Sequence, residues 1–262
     1  MSSTSPLLEM RMSVQFASIG GLRTLHLGLL WSQIRTRYPS YIEDGTLVPI
    51  FELFGGRPSS GQPQFNIQMG VSVPRIVFFT ADQSFSLHVQ QDRIMLVWQR
   101  FPSESAYPGY SAMRAMFYEE IQTVSGFLAA EGLGHISPNQ CELTYVNAIT
   151  LPGESAVHEH LERVTPVWQQ VDVGLPFETA SLQNRYLILS GEAPIGRLYT
   201  TFSPAFLTAT EEPNYQLEIV ARAKPESESL QAAFDLLDRS HDIIHCAFDR
   251  VTTSLVKPKG EG

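Results

Sequence analysis

The chain has 262 residues, 43% of them hydrophobic, so it can bury a substantial core and is not disordered as a whole. Its formal charge of −9 disfavours broad electrostatic attraction to phosphate groups. No stretch approaches the roughly 18 apolar residues of a membrane-spanning helix, and MSSTSPLLEM lacks the basic flank and apolar core of a signal peptide. Cys141 and Cys246 are the only cysteines, too few for a disulfide framework. We therefore expect a cytoplasmic protein that does not bind membranes.

The first half of the chain is predicted to form a strand at 10–19 and a helix at 21–38, followed by a short strand in GTLVPIFELF (residues 45–54). A Gly-, Pro- and Ser-rich loop comes next. Three strands of an antiparallel meander and a long helix complete this half, at 74–82, 84–92, 93–101 and 110–132.

The second half repeats this order of elements. A strand at 141–150 precedes a helix at 156–164, for which Ser155 is the predicted N-cap. After an irregular stretch come three further strands and a last helix, predicted at 181–191, 195–206, 214–224 and 228–256.

The repeated order predicts two tandem copies of one unit, each made of a strand, a helix, an antiparallel meander and a long helix. The expected fold is α+β, with the helices packed on one face of the antiparallel sheet. The copies are predicted at residues 11–138 and 139–256, between a flexible N-terminus (1–10) and a flexible tail (257–262).

Charge is distributed unevenly between the two copies. Residues 11–131 contain nine arginines and nine acids, whereas residues 139–256 contain seven basic residues and sixteen acids. A local groove of arginines in the first copy could bind phosphate or carboxylate, although scattered arginines balanced by acids are typical of a solvated surface.

Four short motifs are spread over most of the chain: QQDRIMLVWQRF, YPGYSAMRAMFYEEI, CELTYVNAI and LLDRSHDIIHCAFDRVTTS. Together they resemble a sporadically distributed family of bacterial proteins of uncharacterised function. The matching positions are Trp98; Tyr107, Pro108 and Tyr110; Tyr145, Val146 and Asn147; and Asp238 with His241. The resemblance implies one recurrent architecture without an assigned activity, and the family's patchy occurrence implies an accessory or antiviral defence-type role.

The duplicated order of elements also resembles, more loosely, the TATA-binding-protein-like arrangement. In that arrangement two copies form a saddle that binds DNA through a sheet face with basic and apolar wedge residues. The acidic second copy departs from this pattern, so nucleic acid is the less favoured partner.

The segment SHDIIHCAF raises the question of a metal site on the last helix, because His241 and His245 are four residues apart, as in zinc-binding H-E-x-x-H. At 100° per residue His241 falls inside the apolar stripe, His245 falls at its edge near Asp238 and Asp249, and Cys246 points away. No third ligand is evident in the sequence. We therefore favour a hydrogen-bonded core residue for His241 and a carboxylate-paired one for His245, with a metal-dependent hydrolase as an alternative.

Other catalytic signatures are incomplete. GYSAM has Met113 where a nucleophile elbow needs its second glycine, and the chain has no phosphate-binding glycine loop. We therefore predict no catalytic residues and no cofactor, and we regard an enzyme as the less favoured interpretation.

Aromatic residues on the predicted sheets are the remaining candidates for binding. If the face away from the helices exposed Phe79, His88, Trp98 and Tyr199, it would form an interaction surface. The favoured interpretation is that these residues fill a core between the copies. Tyr145 and Asn147 of the resembling motif join them as candidate binding residues. The sequence thus predicts a binding or regulatory protein that engages a protein partner or a small ligand through the inter-copy seam or the open sheet face, with a nucleic-acid saddle as a further alternative.

Overall fold

The computed structural model describes residues 6–55, 73–151, 157–207 and 211–256. Nine strands form one antiparallel sheet: β1 (Leu7–Phe16), β2 (Ser40–Asp44), β3 (Arg75–Phe79), β4 (Phe85–Gln90), β5 (Arg93–Gln99), β6 (Pro138–Ile149), β7 (Leu182–Ser190), β8 (Ala193–Phe206) and β9 (Pro213–Ala223). The helices are α1 (Thr24–Ile34), α2 (Tyr110–Ala130), α3 (Leu161–Val164) and α4 (Leu230–Val251), with a 3-10 turn at Val157–Glu159. The predicted α+β class with an antiparallel sheet is confirmed.

The strand order is β2-β3-β4-β5-β1-β6-β9-β8-β7. β1 and β6 pair antiparallel at the middle of the sheet, and each has the last strand of its own meander, β5 or β9, on its other side. The two predicted halves therefore share one continuous sheet.

The two faces of the sheet differ because side chains alternate along each strand. Met10, Trp98 and Tyr145 lie in register on the face that carries the helices, and apolar residues of this face form one buried core cluster with α1, α2 and α4. The opposite face is rich in polar and charged side chains, among them Gln15, Arg93 and Arg222. We call it the polar face.

Residues 45–54 are not a strand, contrary to the prediction. The strand in this region is β2, which precedes them and pairs with β3. Pro49 lacks a backbone donor and favours an extended conformation at Val48, so the segment is extended without being suited to a ladder. Residues 47–54 instead lie across the polar face and contact Gln15, Gln90 and Arg197; we call them the cover segment.

Three other boundaries differ from those predicted. β1 begins at Leu7, inside the segment expected to be flexible. The helix expected at 156–164 is a 3-10 turn followed by the single turn of α3, and its predicted cap Ser155 lies outside the described residues, as does the predicted tail. α4 begins after Ser229, whose side chain accepts a hydrogen bond from the Ala232 amide, and ends at Val251. In the described part of the chain no helix is both long and apolar enough to cross a membrane.

Gly196 on β8 provides a test of the packing between β8 and β9. A Cβ atom at this position would overlap Ala223 and the Arg222 carbonyl oxygen, so G196A should destabilise the fold by about 1–3 kcal/mol. G28A is the matched control, because Gly28 lies on an exposed helix position with nothing near its would-be Cβ and alanine there should stabilise by about 0.5–1 kcal/mol. Urea unfolding measures the free energy of unfolding of both variants. Equal changes in G196A and G28A would contradict the close packing of Gly196 against β9.

Candidate functional site

Residues from all four sequence motifs meet where α2 and α4 lie over the centre of the sheet. We call this group the seam cluster, because α2 comes from the first half of the chain and β6 and α4 come from the second. Its members are Trp98, Tyr107, Tyr110, Arg114, Tyr145, Asp238, His241 and His245.

The antiparallel packing of α2 on α4 assembles the outer part of the cluster. Tyr110 meets His241 and Arg114 meets Asp238, so advancing along α2 corresponds to moving back along α4. Because residues three and four apart share one face of a helix, Tyr110 and Arg114 lie side by side on α2. Asp238 and His241 do the same on α4.

Tyr110 is the residue that joins the two helices. Its ring stacks on the imidazole of His241, with the ring centres 3.9 Å apart and the planes 8° from parallel. Its hydroxyl donates to Asp238 Oδ1 at 2.8 Å, and the same oxygen accepts a hydrogen bond from Arg114 Nε at 2.6 Å. Burial, followed by the hydrogen bond to Asp238, raises the pKa of Tyr110, so the phenol remains protonated and continues to donate.

A chain of three polar groups connects the sheet to α4. The hydroxyls of Tyr107 and Tyr145 are 3.3 Å apart, and the Tyr145 hydroxyl is 2.9 Å from His241 Nδ1. Burial raises the pKa of both tyrosines. Since each phenol has one hydrogen, the tautomer of His241 sets the donor-to-acceptor direction of these hydrogen bonds. When Nδ1 accepts, Tyr145 donates to it and Tyr107 donates to Tyr145.

His241 is neutral near pH 7. Burial, and next the charge of His245, lower its pKa from the ordinary 6.5 to about 4, against smaller opposing effects of Asp242 and Asp238. It is half-buried rather than fully buried. A neutral imidazole is also the form that can accept the Tyr145 hydrogen bond.

His245 is exposed at the edge of the cluster. Its ring lies 4.3 Å from that of His241 and 6.0 Å from that of Tyr145, centre to centre. The predicted ion pairs of His245 with Asp238 and Asp249 are not formed among the described residues, because Asp238 is turned towards Tyr110 and Arg114 on α2. Cys246 is exposed and is not part of the cluster.

The histidine pair has no third metal ligand in the parts of the chain that the structure describes, where no three His, Cys, Asp or Glu residues are grouped to hold an ion. His158 has its Nε2 within 3.0 Å of the Ala205 carbonyl oxygen and 2.8 Å of that of Asn214. That position is separate from the seam cluster.

The six candidate binding residues divide between the two faces of the sheet. Trp98, Tyr145 and Asn147 are buried on the helix face, where the Trp98 indole donates to Ser105 Oγ at 3.2 Å. Trp98 therefore does not share an exposed face with Phe79, His88 and Tyr199, because β5 places it in register with Met10 on the helix side. Its burial fits the alternative in which it fills a core.

Phe79, His88 and Tyr199 lie on the polar face and are partly exposed. His88 accepts a hydrogen bond from Arg75 at Nδ1, with the nitrogens 3.0 Å apart, so its Nε2 carries the hydrogen and donates to Ser86 Oγ at 2.9 Å. Burial and then the Arg75 charge lower its pKa to about 3. These three residues do not form one aromatic patch.

Arg114 was not identified by sequence reasoning. The available signal was the i, i+4 pair Tyr110 and Arg114 on α2 facing Asp238 and His241 on α4, which can be recognised only once the pairing of the two helices is known.

Comparison with family models and with curated proteins gives no match, so the resemblance to a bacterial family stays a prediction.

The lowered pKa values of His88 and His241 predict how stability depends on pH. Between pH 6.5 and about 4 the unfolded chain binds protons at these sites that the folded chain does not, so stability is retained above pH 6.5 and lost as pH falls towards 4. H241N should reduce the loss of unfolding free energy between about pH 7 and about pH 5, measured with urea. If H241N lost as much unfolding free energy as wild type over this pH range, the lowered pKa of His241 would be contradicted. Comparison with wild type removes the contribution of the carboxylates that both proteins share.

Proposed function

We propose that this chain is a non-enzymatic binding protein that engages a protein partner through the exposed side of the seam cluster. We further propose that it consists of two copies of one α+β unit. The duplication is supported by the strand order, in which β1 and β6 are central and each meander extends outwards from its own side. It places the cluster at the junction of the copies.

The observation that carries the proposal is the Tyr110–His241 stack, which holds polar and aromatic groups at the surface in fixed positions. The Arg114 side chain is 32% exposed and that of Asp238 is 42% exposed, and the exposed His245 ring lies 4.3 Å from the ring of His241, centre to centre. Tyrosine and arginine are enriched among the residues that contribute most to protein interfaces. Because the stack and the hydrogen bonds already hold these groups, a partner would lose less conformational entropy on binding them.

The contacts of the cluster favour binding over hydrolysis. A metal-dependent hydrolase centred on His241 and His245 would need another ligand and a free carboxylate as base. Asp238, the carboxylate of the cluster, is not free, because it accepts hydrogen bonds from both Tyr110 and Arg114.

The polar face also differs from a nucleic-acid saddle. Arg75, Arg197 and Arg222 each form an ion pair with a carboxylate, and the cover segment lies across the middle of the sheet. A saddle needs uncovered cations on the sheet.

The test is partner capture followed by affinity measurement with a matched pair of variants. The wild-type chain is used to isolate its native complex, and the partner is then purified and titrated against R114A/H245A by calorimetry. We expect its affinity to fall at least about 10-fold, which is the effect of removing side chains in an interface centre. R35A/C246A is the control, because Arg35 and Cys246 are exposed outside the cluster, and its affinity should equal that of wild type.

Equal binding of the partner to R114A/H245A and to wild type would contradict a role for the seam cluster. Both variants must show the same far-UV circular dichroism and cooperative unfolding as wild type. The Arg114–Asp238 ion pair is partly exposed, so its loss should cost less than about 1 kcal/mol of stability.

A further inference from the structure

Six side chains form a row across the polar face, one from each of six neighbouring strands. In strand order from β4 to β8 they are Gln90, Arg93, Gln15, Glu142, Arg222 and Arg197, and the step from Gln15 to Glu142 is diagonal because Gln15 lies opposite Gln140. At about 4.8 Å between strands the row is about 24 Å long, which is close to the roughly 20 Å between the first and last of seven extended residues. The row therefore matches a short extended peptide laid across the strands.

The cover segment is such a peptide, and the row binds its backbone. Gln90 accepts from the Leu47 amide at 3.0 Å and donates to the Leu47 carbonyl oxygen at 2.9 Å. Gln15 accepts from the Ile50 amide at 2.9 Å, and Arg197 donates to the Leu53 carbonyl oxygen at 2.8 Å. Side chains of the sheet thus hold main-chain groups that any extended peptide of this length possesses.

One side chain of the cover segment is recognised specifically. The carboxylate of Glu52 is bound by Arg197, by Arg222 Nη1 at 3.3 Å and by the Tyr199 hydroxyl at 2.8 Å, and only 3% of this side chain is exposed. Three donors around one carboxylate form a pocket for an acidic residue, since hydrogen bonds to a charged acceptor are the stronger kind.

Four apolar residues of the segment contribute little to its attachment. Val48, Ile50, Phe51 and Leu53 are 56%, 40%, 52% and 79% exposed, whereas Leu47 and Phe54 at its ends are partly buried. Hydrophobic stabilisation requires removal of apolar area from water, so polar contacts supply most of the attachment. A segment held in this way can be displaced by a peptide that makes the same contacts.

Arg93 of the row and Gln140, which lies opposite Gln15, have hydrogen-bonding capacity that the cover segment does not use. Arg93 Nε and Gln140 Oε1 have no hydrogen-bond partner among the described residues, although these residues are only 9% and 5% exposed. Both line a small cleft beside Ile50, together with Ser13 and Glu142. The aliphatic Ile50 can satisfy neither the donor nor the acceptor, whereas an amide side chain at that position could satisfy both.

We propose that the row is a recognition groove for an extended acidic peptide of another protein, and that the cover segment occupies this groove in competition with it. The preferred peptide presents a glutamate to the Glu52 pocket and an amide side chain two residues earlier, beside Arg93 and Gln140. The groove lies on the face opposite to the seam cluster, so the proposal does not depend on the proposed function.

The experiment uses the full chain with residues 47–53 replaced by glycine and serine, which removes the competing side chains and keeps the length. The probe is a fluorescent peptide with the sequence of residues 45–55, GTLVPIFELFG, titrated by fluorescence anisotropy. We expect the opened chain to bind this peptide and to bind an E52Q peptide at least about 10-fold more weakly. The opened chain should bind an I50Q peptide more tightly than the parent peptide. The wild-type protein should bind the parent peptide at least about 10-fold more weakly than the opened chain does, because its own cover segment competes at high effective concentration.

The proposal is overturned if the opened chain has the circular dichroism and cooperative unfolding of wild type but binds the parent and the E52Q peptides equally, or binds neither of them. If it does not fold, the full-length E52Q variant replaces it, because this change weakens only the carboxylate contact. The parent peptide should then bind E52Q more tightly than wild type, and equal binding would overturn the proposal. The opened chain that also carries R114A/H245A should bind the peptide as well as the opened chain does. This comparison tests the proposed groove separately from the proposed partner site at the seam cluster.

Discussion

The pairing of β1 with β6 is the constraint on which both surfaces depend. It joins the two meanders into one sheet and aligns Met10 with Trp98 on one side and with Tyr145 on the other. Because a shift of one residue would turn every side chain of a strand to the opposite face, this register places Tyr145 under α4. The same register places Gln15, Arg93 and Glu142 together on the polar face.

The two faces use polar groups in different ways. In the seam cluster the polar atoms satisfy one another across helix and sheet, and the neutral form of His241 is favoured by its surroundings. On the polar face, two glutamines and two arginines of the sheet bind a separate segment of the chain through its backbone and one carboxylate. The first arrangement fixes its components in place, and the second leaves its occupant exchangeable.

Most strands and helices were predictable because alternation and helical periodicity are local properties of the sequence. The face occupied by Trp98 was not, since β5 is apolar at nearly every position and its period-2 signal is weak. The partner of Asp238 was not predictable either, because Tyr110 and Arg114 lie 128 and 124 residues away in the chain. Residues 45–54 have the apolar composition of a strand, and Pro49 and Glu52 were the residues within them that indicated a different environment.

The cover segment also affects how copies of the chain behave towards one another. Four of its apolar residues, Val48, Ile50, Phe51 and Leu53, are exposed, and exposed apolar groups that are adjacent favour contact between molecules. The net charge of −9 has the opposite effect, because like-charged molecules repel each other at low ionic strength. Added salt screens this repulsion but leaves the apolar attraction in place, so the colloidal stability of the protein depends on a balance between one short segment and the charge of the whole chain.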